Sequence, residues 1–370
     1  MNARVPILTF LAGVVIFVVG FWLGRGSRGE AEVGPESPGG AEMKSTGAAS
    51  QPNGSRVARL VPDAKDRTFG VRESTLLKKL LKEGGIEEKL TPEQMEAYLN
   101  LNNNAAESLL AAFETSRDLK FLRQAAEMHP NDPRVMFAVI NFDAFPEQRR
   151  DWIERFKAAS PNNALADYFS AADHLKQGRT EDAAAAFRDA ANKTGFDDFT
   201  RHTIQSAEEM YSMAGHSLAE AKAIAGVQTR LPHLAKLREF GREMAKMQQA
   251  SRESGDLEKA NEIAALGLQM GRHMSMGEGG TYLINQLVGI GTERMFLKGL
   301  DPAAANAFLD RPIGALQQEL QDQLENIREL GRNVDVGDLS EPDVIAYFDR
   351  VKIYGEYETM KWFYNRGNGR

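Results

Sequence analysis

The chain has 370 residues with a formal net charge of -7, 26% charged and 42% apolar residues, and no cysteine. A mildly acidic body of this kind lacks the clustered Lys and Arg that displace counterions, which argues against nucleic acid as a partner. The absence of thiols excludes disulfides, thiolate catalysis and zinc sites built on Cys.

The first element is an uncharged apolar run over 6–23, PILTFLAGVVIFVVGFWL. As a helix rising about 1.5 Å per residue, it comes close to the thickness of a bilayer's hydrocarbon core. Residues 1–24 are therefore expected to be a short tail and a single transmembrane anchor. A cleaved signal peptide is the rival reading, but the run is longer than a usual signal core and no clear A-x-A site follows it. Arg4 on one side and Arg25 and Arg28 on the other hardly decide orientation. The short tail favours an inside N-terminus, hence a single pass through the inner membrane with the body in the periplasm. Gly13, Gly20 and Gly24 fall near one helix face, and the last two have the small-xxx-small spacing through which two anchors could form a homodimer. Residues 25–58 are rich in Gly, Ser, Pro and Ala and almost free of large apolar side chains, the composition of a disordered tether.

From residue 59 onward the pattern is helical. Leu76, Leu77, Leu80 and Leu81 form a stripe between Ser74 and the Gly84-Gly85 stop. Thr91-Pro92-Glu93-Gln94 supplies an N-cap, a Pro at the first helical position and a capping-box Gln. Turns at Pro130-Asn131-Asp132 and Pro161-Asn162-Asn163 each end one helix and open another about 31 residues apart. No sustained alternation of apolar and polar residues calls for a strand.

The next segment, ALADYFSAADHLKQGRTEDAAAAFRDAANKTGF, places Gly178 at a turn and Ala183, Phe187 and Ala190 along the following helix. A weaker copy, SGDLEKANEIAALGLQMG, places Gly255, Ala260, Ala264 and Gly267 at the same offsets. This pattern resembles the tetratricopeptide repeat, in which small residues let paired helices approach and an aromatic ring fills the gap to the next pair. The first helix departs from that family, with Asp167, Ser170 and Ala171 at its large positions. The resemblance implies an all-α solenoid of antiparallel helix pairs over 59–275. It also implies capture of a protein partner, as a peptide or helix, in the solenoid groove. By register the groove-facing residues would be Tyr168, Ala172, Leu175 and Lys176, and in the weaker copy Arg242, Gln249 and Arg252. Anchor, tether and divergent repeats together resemble membrane-anchored bacterial envelope proteins.

Residues 276–370 read as a helical capping region. After Gly277, Gly279 and Gly280 comes TYLINQLVGIGTERMFLKGL, apolar on more than one face. A helix after Pro312 carries Ile313, Leu316, Leu320, Leu324, Ile327 and Leu330, and a last helix over about 341–364 carries Tyr347, Phe348, Tyr354, Tyr357, Trp362, Phe363 and Tyr364. Those aromatics are expected to close the open end of the core rather than to form a binding surface.

Catalytic patterns are missing. The six histidines form no pair at metal-ligand spacing, and there is no Gly-x-Ser-x-Gly elbow or phosphate-binding glycine loop. No cofactor and no metal is expected. Glu87 with Glu88 and Glu208 with Glu209 read as charged faces. Envelope lytic transglycosylases also join a helical solenoid to a catalytic Glu, but their Glu-Ser and Gly-Leu-Met-Gln signatures are missing here, although Glu278 and Glu293 stand in the right third. The expected role is a membrane-anchored scaffold or adaptor, with a structural homo-oligomer of the envelope as the alternative.

Overall fold

Helices begin where the caps stand. The computed structural model describes residues 89–276, 281–303, 311–334 and 339–368. The anchor, the tether, the Leu76–Leu81 stripe, the Glu87-Glu88 pair, Glu278 and the glycines proposed to pair two anchors lie outside them. Among the described residues no helix is long and apolar enough to cross a membrane. There are fifteen α-helices and no strand among them, so the protein is all-α.

Helix α1 (Pro92–Leu101) opens on Thr91, whose hydroxyl accepts from the Gln94 amide at 3.2 Å while the Gln94 side chain accepts from Thr91 N at 2.9 Å. Helices α2 (Ala106–Ser116) and α3 (Leu119–Met128) follow, and α4 (Pro133–Asn141) is capped by Asp132 in the first of the two expected turns. Helix α5 (Arg149–Ala159) leads to α6 (Ala164–Lys176), capped by Asn163 in the second. Gly178, at φ +75°, turns the chain into α7 (Thr180–Ala191). Ala183, Phe187 and Ala190 are buried along α7, so the alanine seam lies against its partner helix as its pattern suggested.

Helices α8 (Thr200–Met213) and α9 (Leu218–Gln228) form the next hairpin, followed by the long α10 (Pro232–Glu253) and α11 (Leu257–Met276). Helix α12 (Leu283–Leu297), α13 (Ile313–Asn333), α14 (Glu341–Tyr354) and α15 (Glu356–Asn368) complete the body. The single long terminal helix read from the sequence is thus two. Gly355 stands between them at φ +82°, a left-handed conformation that breaks the helical path.

Successive helices pack on one another, but the chain also returns on itself. Helix α8 lies against α2, α10 against α6, α11 against α7 and α9 against α14. A linear stack in which each pair meets only its neighbours would lack these contacts. One core joins α1–α11 and reaches α12 through Phe296, and a second joins α9 to α11–α15. Helices α11 and α12 feed both, through Met270, Met274 and Phe296 on one side and Leu268, Ile290 and Leu297 on the other.

The α11–α12 contact is the closest. A methyl group on Gly289 would stand 2.5 Å from the Gly271 carbonyl oxygen, and one on Gly271 would stand 2.7 Å from the Gly289 oxygen. The two backbones touch because neither residue has a side chain. The terminal aromatics divide: Tyr347, Phe348 and Phe363 are buried in the second core, while Tyr354 is exposed.

Candidate functional site

The residues assigned to a groove by repeat register do not form one surface. Tyr168 is wholly buried, and its hydroxyl is 2.8 Å from His273 Nδ1. Leu175 is half-buried against the first core and Lys176 is exposed. Gln249 is exposed and donates to Glu253 at 2.8 Å, while Arg252 bonds the Gly299 carbonyl. Arg242 differs from the rest because it lines a large cavity described below.

Two buried polar nodes hold the returning chain in place. Asp198, in the loop before α8, accepts from His233 Nε2 at 2.9 Å and from the Asn285 amide at 2.8 Å, while its other oxygen accepts from Thr200 N at 3.1 Å. Burial opposes its charge, yet the bond and charge of His233 hold the Asp198 carboxyl below its usual range. The node ties the α8 loop to the first turns of α10 and α12. Beside it lies a space of only about 40 Å³, bordered by Asn141, Asp198 and His233. That space takes a few waters and no substrate.

In the second node, the buried Glu208 accepts from Lys222 at 3.1 Å and from Lys352 at 2.6 Å, joining α8, α9 and α14. Glu208 is therefore not part of a solvated charged face, whereas Glu209 is exposed and bonded to Gln205. The capping, turn and apolar-stripe patterns of the sequence carry no trace of this long-range pairing.

The major concave feature lies between α10, α12 and α13, closed at one end by α14. It offers about 1480 Å³ to the centres of water molecules, more than the roughly 300–1,000 Å³ of an ordinary small-molecule pocket. Helix α12 forms its floor. One face of α12, with Asn285, Gly289, Glu293 and Phe296, is buried against the rest of the protein. The other face, with Ile284, Leu287, Val288, Gly291 and Met295, lines the cavity. This explains why the sequence of α12 is apolar on more than one side. Leu231 and Leu234 of the α10 segment and Leu324 and Ile327 of α13 form the walls, and Tyr347, Phe348 and Val351 form the closed end.

The charge on the lining is one-sided. Among the described residues Arg230, Arg238, Arg242, Arg294, Lys298 and Arg328 all contribute, against one carboxylate, Glu356. Glu356 accepts from Leu283 N at 2.8 Å and from the Tyr347 hydroxyl at 3.1 Å, capping α12 at the closed end. Burial raises its pKa. Burial and the neighbouring Arg242 charge hold the Arg238 guanidinium below its usual value, a sign of the positive field there.

No known protein family, curated protein or solved structure matches this chain. The geometry of the cavity therefore has to carry the functional argument by itself. Glu293, one of the two acids considered for sugar-bond cleavage, faces α11 and Arg272 and does not line the cavity. Burial raises its pKa to about 7. Among the described residues no group of three or more His, Asp or Glu side chains is placed to hold a metal ion.

Proposed function

We propose that the protein is a binding module, a scaffold or adaptor that takes an apolar segment of its partner into the cavity between α10, α12 and α13. The cavity itself carries this reading. A body that leaves about 1480 Å³ unfilled between three helices forgoes the close packing that stabilises protein interiors. An occupant restores those contacts. The tetratricopeptide-like segments over 164–196 and 254–271 serve in this reading as part of an α-solenoid frame that supports α10 and α12. The N-terminal run is the anchor in the inner membrane, with the body in the periplasm, and the tether confines encounters to the membrane surface and raises local concentration.

The test uses the full chain in zwitterionic nanodiscs and an apolar dye that fluoresces when shielded from water. One saturable site is expected, lost in Gly291→Trp, which places a large side chain where the cavity is open, with the melting temperature preserved. Dye binding that is absent, or equal in the variant, would remove the basis for the proposal.

A further inference from the structure

Gly291 sits in the middle of α12, exposed, and a methyl group built on it meets nothing within 4 Å. A glycine inside a helix costs about 0.5–1 kcal/mol relative to Ala. Elsewhere on α12 that cost has a visible reason, since Gly289 lets α11 approach. No group within 4 Å of Gly291 gives such a reason, and its bare backbone faces the cavity. A backbone exposed at the centre of an apolar floor is the feature that lets a second helix cross closely.

The dimensions agree. Cavity-lining residues run along the α12 segment from Tyr282 to Gly299, about 25 Å at 1.5 Å per residue. Spread over that length, about 1480 Å³ gives a mean cross-section of about 59 Å² for water centres. Adding the roughly 1.4 Å radius of a water makes the bore about 11 Å wide. An α-helix with its side chains measures about 10–12 Å across. A single acyl chain is far thinner and would leave most of the bore empty.

The charge selects the kind of helix. Gly241 of α10 packs on Met295 and Phe296, within 3.8 Å of a methyl group placed on it, which brings the neighbouring Arg242 toward Arg294. Three cationic side chains thus gather toward the C-terminal half of α12, and among the described residues the lining's one carboxylate lies at the other end, bonded to Leu283 and Tyr347. The chain's own Leu76–Leu81 stripe carries Lys78, Lys79 and Lys82, the wrong sign for this rim.

Resting on the binding reading above, we propose that the occupant is an acidic amphipathic α-helix of a protein partner. It lies along α12, crosses it at Gly291, and sets its carboxylates against Arg242, Arg294 and Lys298. The recognition mode is helix-in-groove, with apolar anchors supplying affinity and the basic rim supplying orientation and selectivity.

The test is selection from a displayed library of helical peptides, about 17 residues long to match the groove, with a fixed leucine face and randomised polar positions. The bait is the full chain in zwitterionic nanodiscs. The enriched pool is expected to favour Asp and Glu over Lys and Arg toward one end. A representative peptide should lose at least about tenfold in affinity against Arg242→Glu with Arg294→Glu and should not bind Gly291→Trp. Melting temperatures report that each variant is folded. If the dye of the preceding section binds in a Gly291-dependent way but no helix is enriched, or the pool has no acidic bias, the helix proposal falls while the binding reading stands. Displacement of the dye by palmitate with no helix enriched would assign the cavity to a lipid chain instead. Absence of dye binding overturns both.

Discussion

Two glycines on one helix, two residues apart, should respond to the same substitution with opposite signs. In Gly289→Ala the new methyl group meets the Gly271 carbonyl oxygen at 2.5 Å and Ser275 N at 2.9 Å, both backbone atoms that cannot rotate away. Helices α11 and α12 must separate by nearly 1 Å, and a gap of that size forfeits a quarter to a half of each dispersion contact along the seam. Overpacking of this kind costs about 3 kcal/mol at its upper end, against a gain of about 0.8–1.0 kcal/mol from replacing a helical glycine. The net loss is about 2 kcal/mol. In Gly291→Ala nothing is met within 4 Å, so only the gain remains, about 1 kcal/mol. At about 2–4 °C per kcal/mol for a body of this order of size, thermal unfolding followed by circular dichroism should place Gly289→Ala some 4–8 °C below the parent and Gly291→Ala some 2–4 °C above it. A Gly289→Ala protein as stable as the parent would refute the close crossing. A Gly291→Ala protein less stable than the parent would mean that Gly291 is packed rather than open.

Three further outcomes follow from the buried groups. Glu293 has a folded pKa of about 7, raised by burial from 4.5. A raised pKa means that its contribution is complete below about 4.5 and is lost as pH rises through 7, a swing of about 3 kcal/mol at 1.36 kcal/mol per unit. Glu293→Gln should flatten the stability profile over that window and melt higher than the parent at pH 8; an unchanged slope refutes the assignment. Asp198 runs the other way, because a depressed pKa gives stability that is present above about 3.9, the unfolded value, and lost as pH falls through the folded one. Asp198→Asn should lower stability at neutral pH and remove part of the acid limb of the unfolding curve, and a variant with the parent's full acid limb would contradict it. Tyr168→Phe removes one buried hydroxyl bond to His273, about 1 kcal/mol, and should leave ligand binding untouched since Tyr168 is enclosed in the core; a loss of binding would restore the groove suggested by repeat register.

Much of the local structure is written in short-range chemistry. Thr91-Pro92-Gln94, Asp132 and Asn163 mark helix starts because a side chain two or three residues away satisfies the orphan amides, and nothing distant is needed. Ile313, Leu316, Leu320, Leu324, Ile327 and Leu330 are all buried on α13 because their spacing makes one stripe. The docking of the α8 loop onto α10 and α12 was not legible, since it depends on Asp198, His233 and Asn285 meeting from positions up to 87 residues apart. Gly355 inside an aromatic, helix-like stretch was the one available sign of the α14–α15 break, and its weight depends on the conformation adopted.

The cavity was half legible. The second apolar face of α12 shows in its sequence, through Ile284, Leu287 and Val288. What the sequence does not show is that nothing from α10 or α13 fills the space above that face, because an unfilled volume belongs to three separate segments together. Arg242 alone connects the two readings: repeat register pointed to it, and the fold sets it on the rim.

The most direct test of the account is amide hydrogen exchange on the full chain with and without the library-selected helix. Binding in the cavity predicts slowed exchange over the cavity-facing stretches of α10, α12 and α13, around 231–242, 282–299 and 317–331. Protection confined to the hairpin at 164–191, with α12 unchanged, would contradict it.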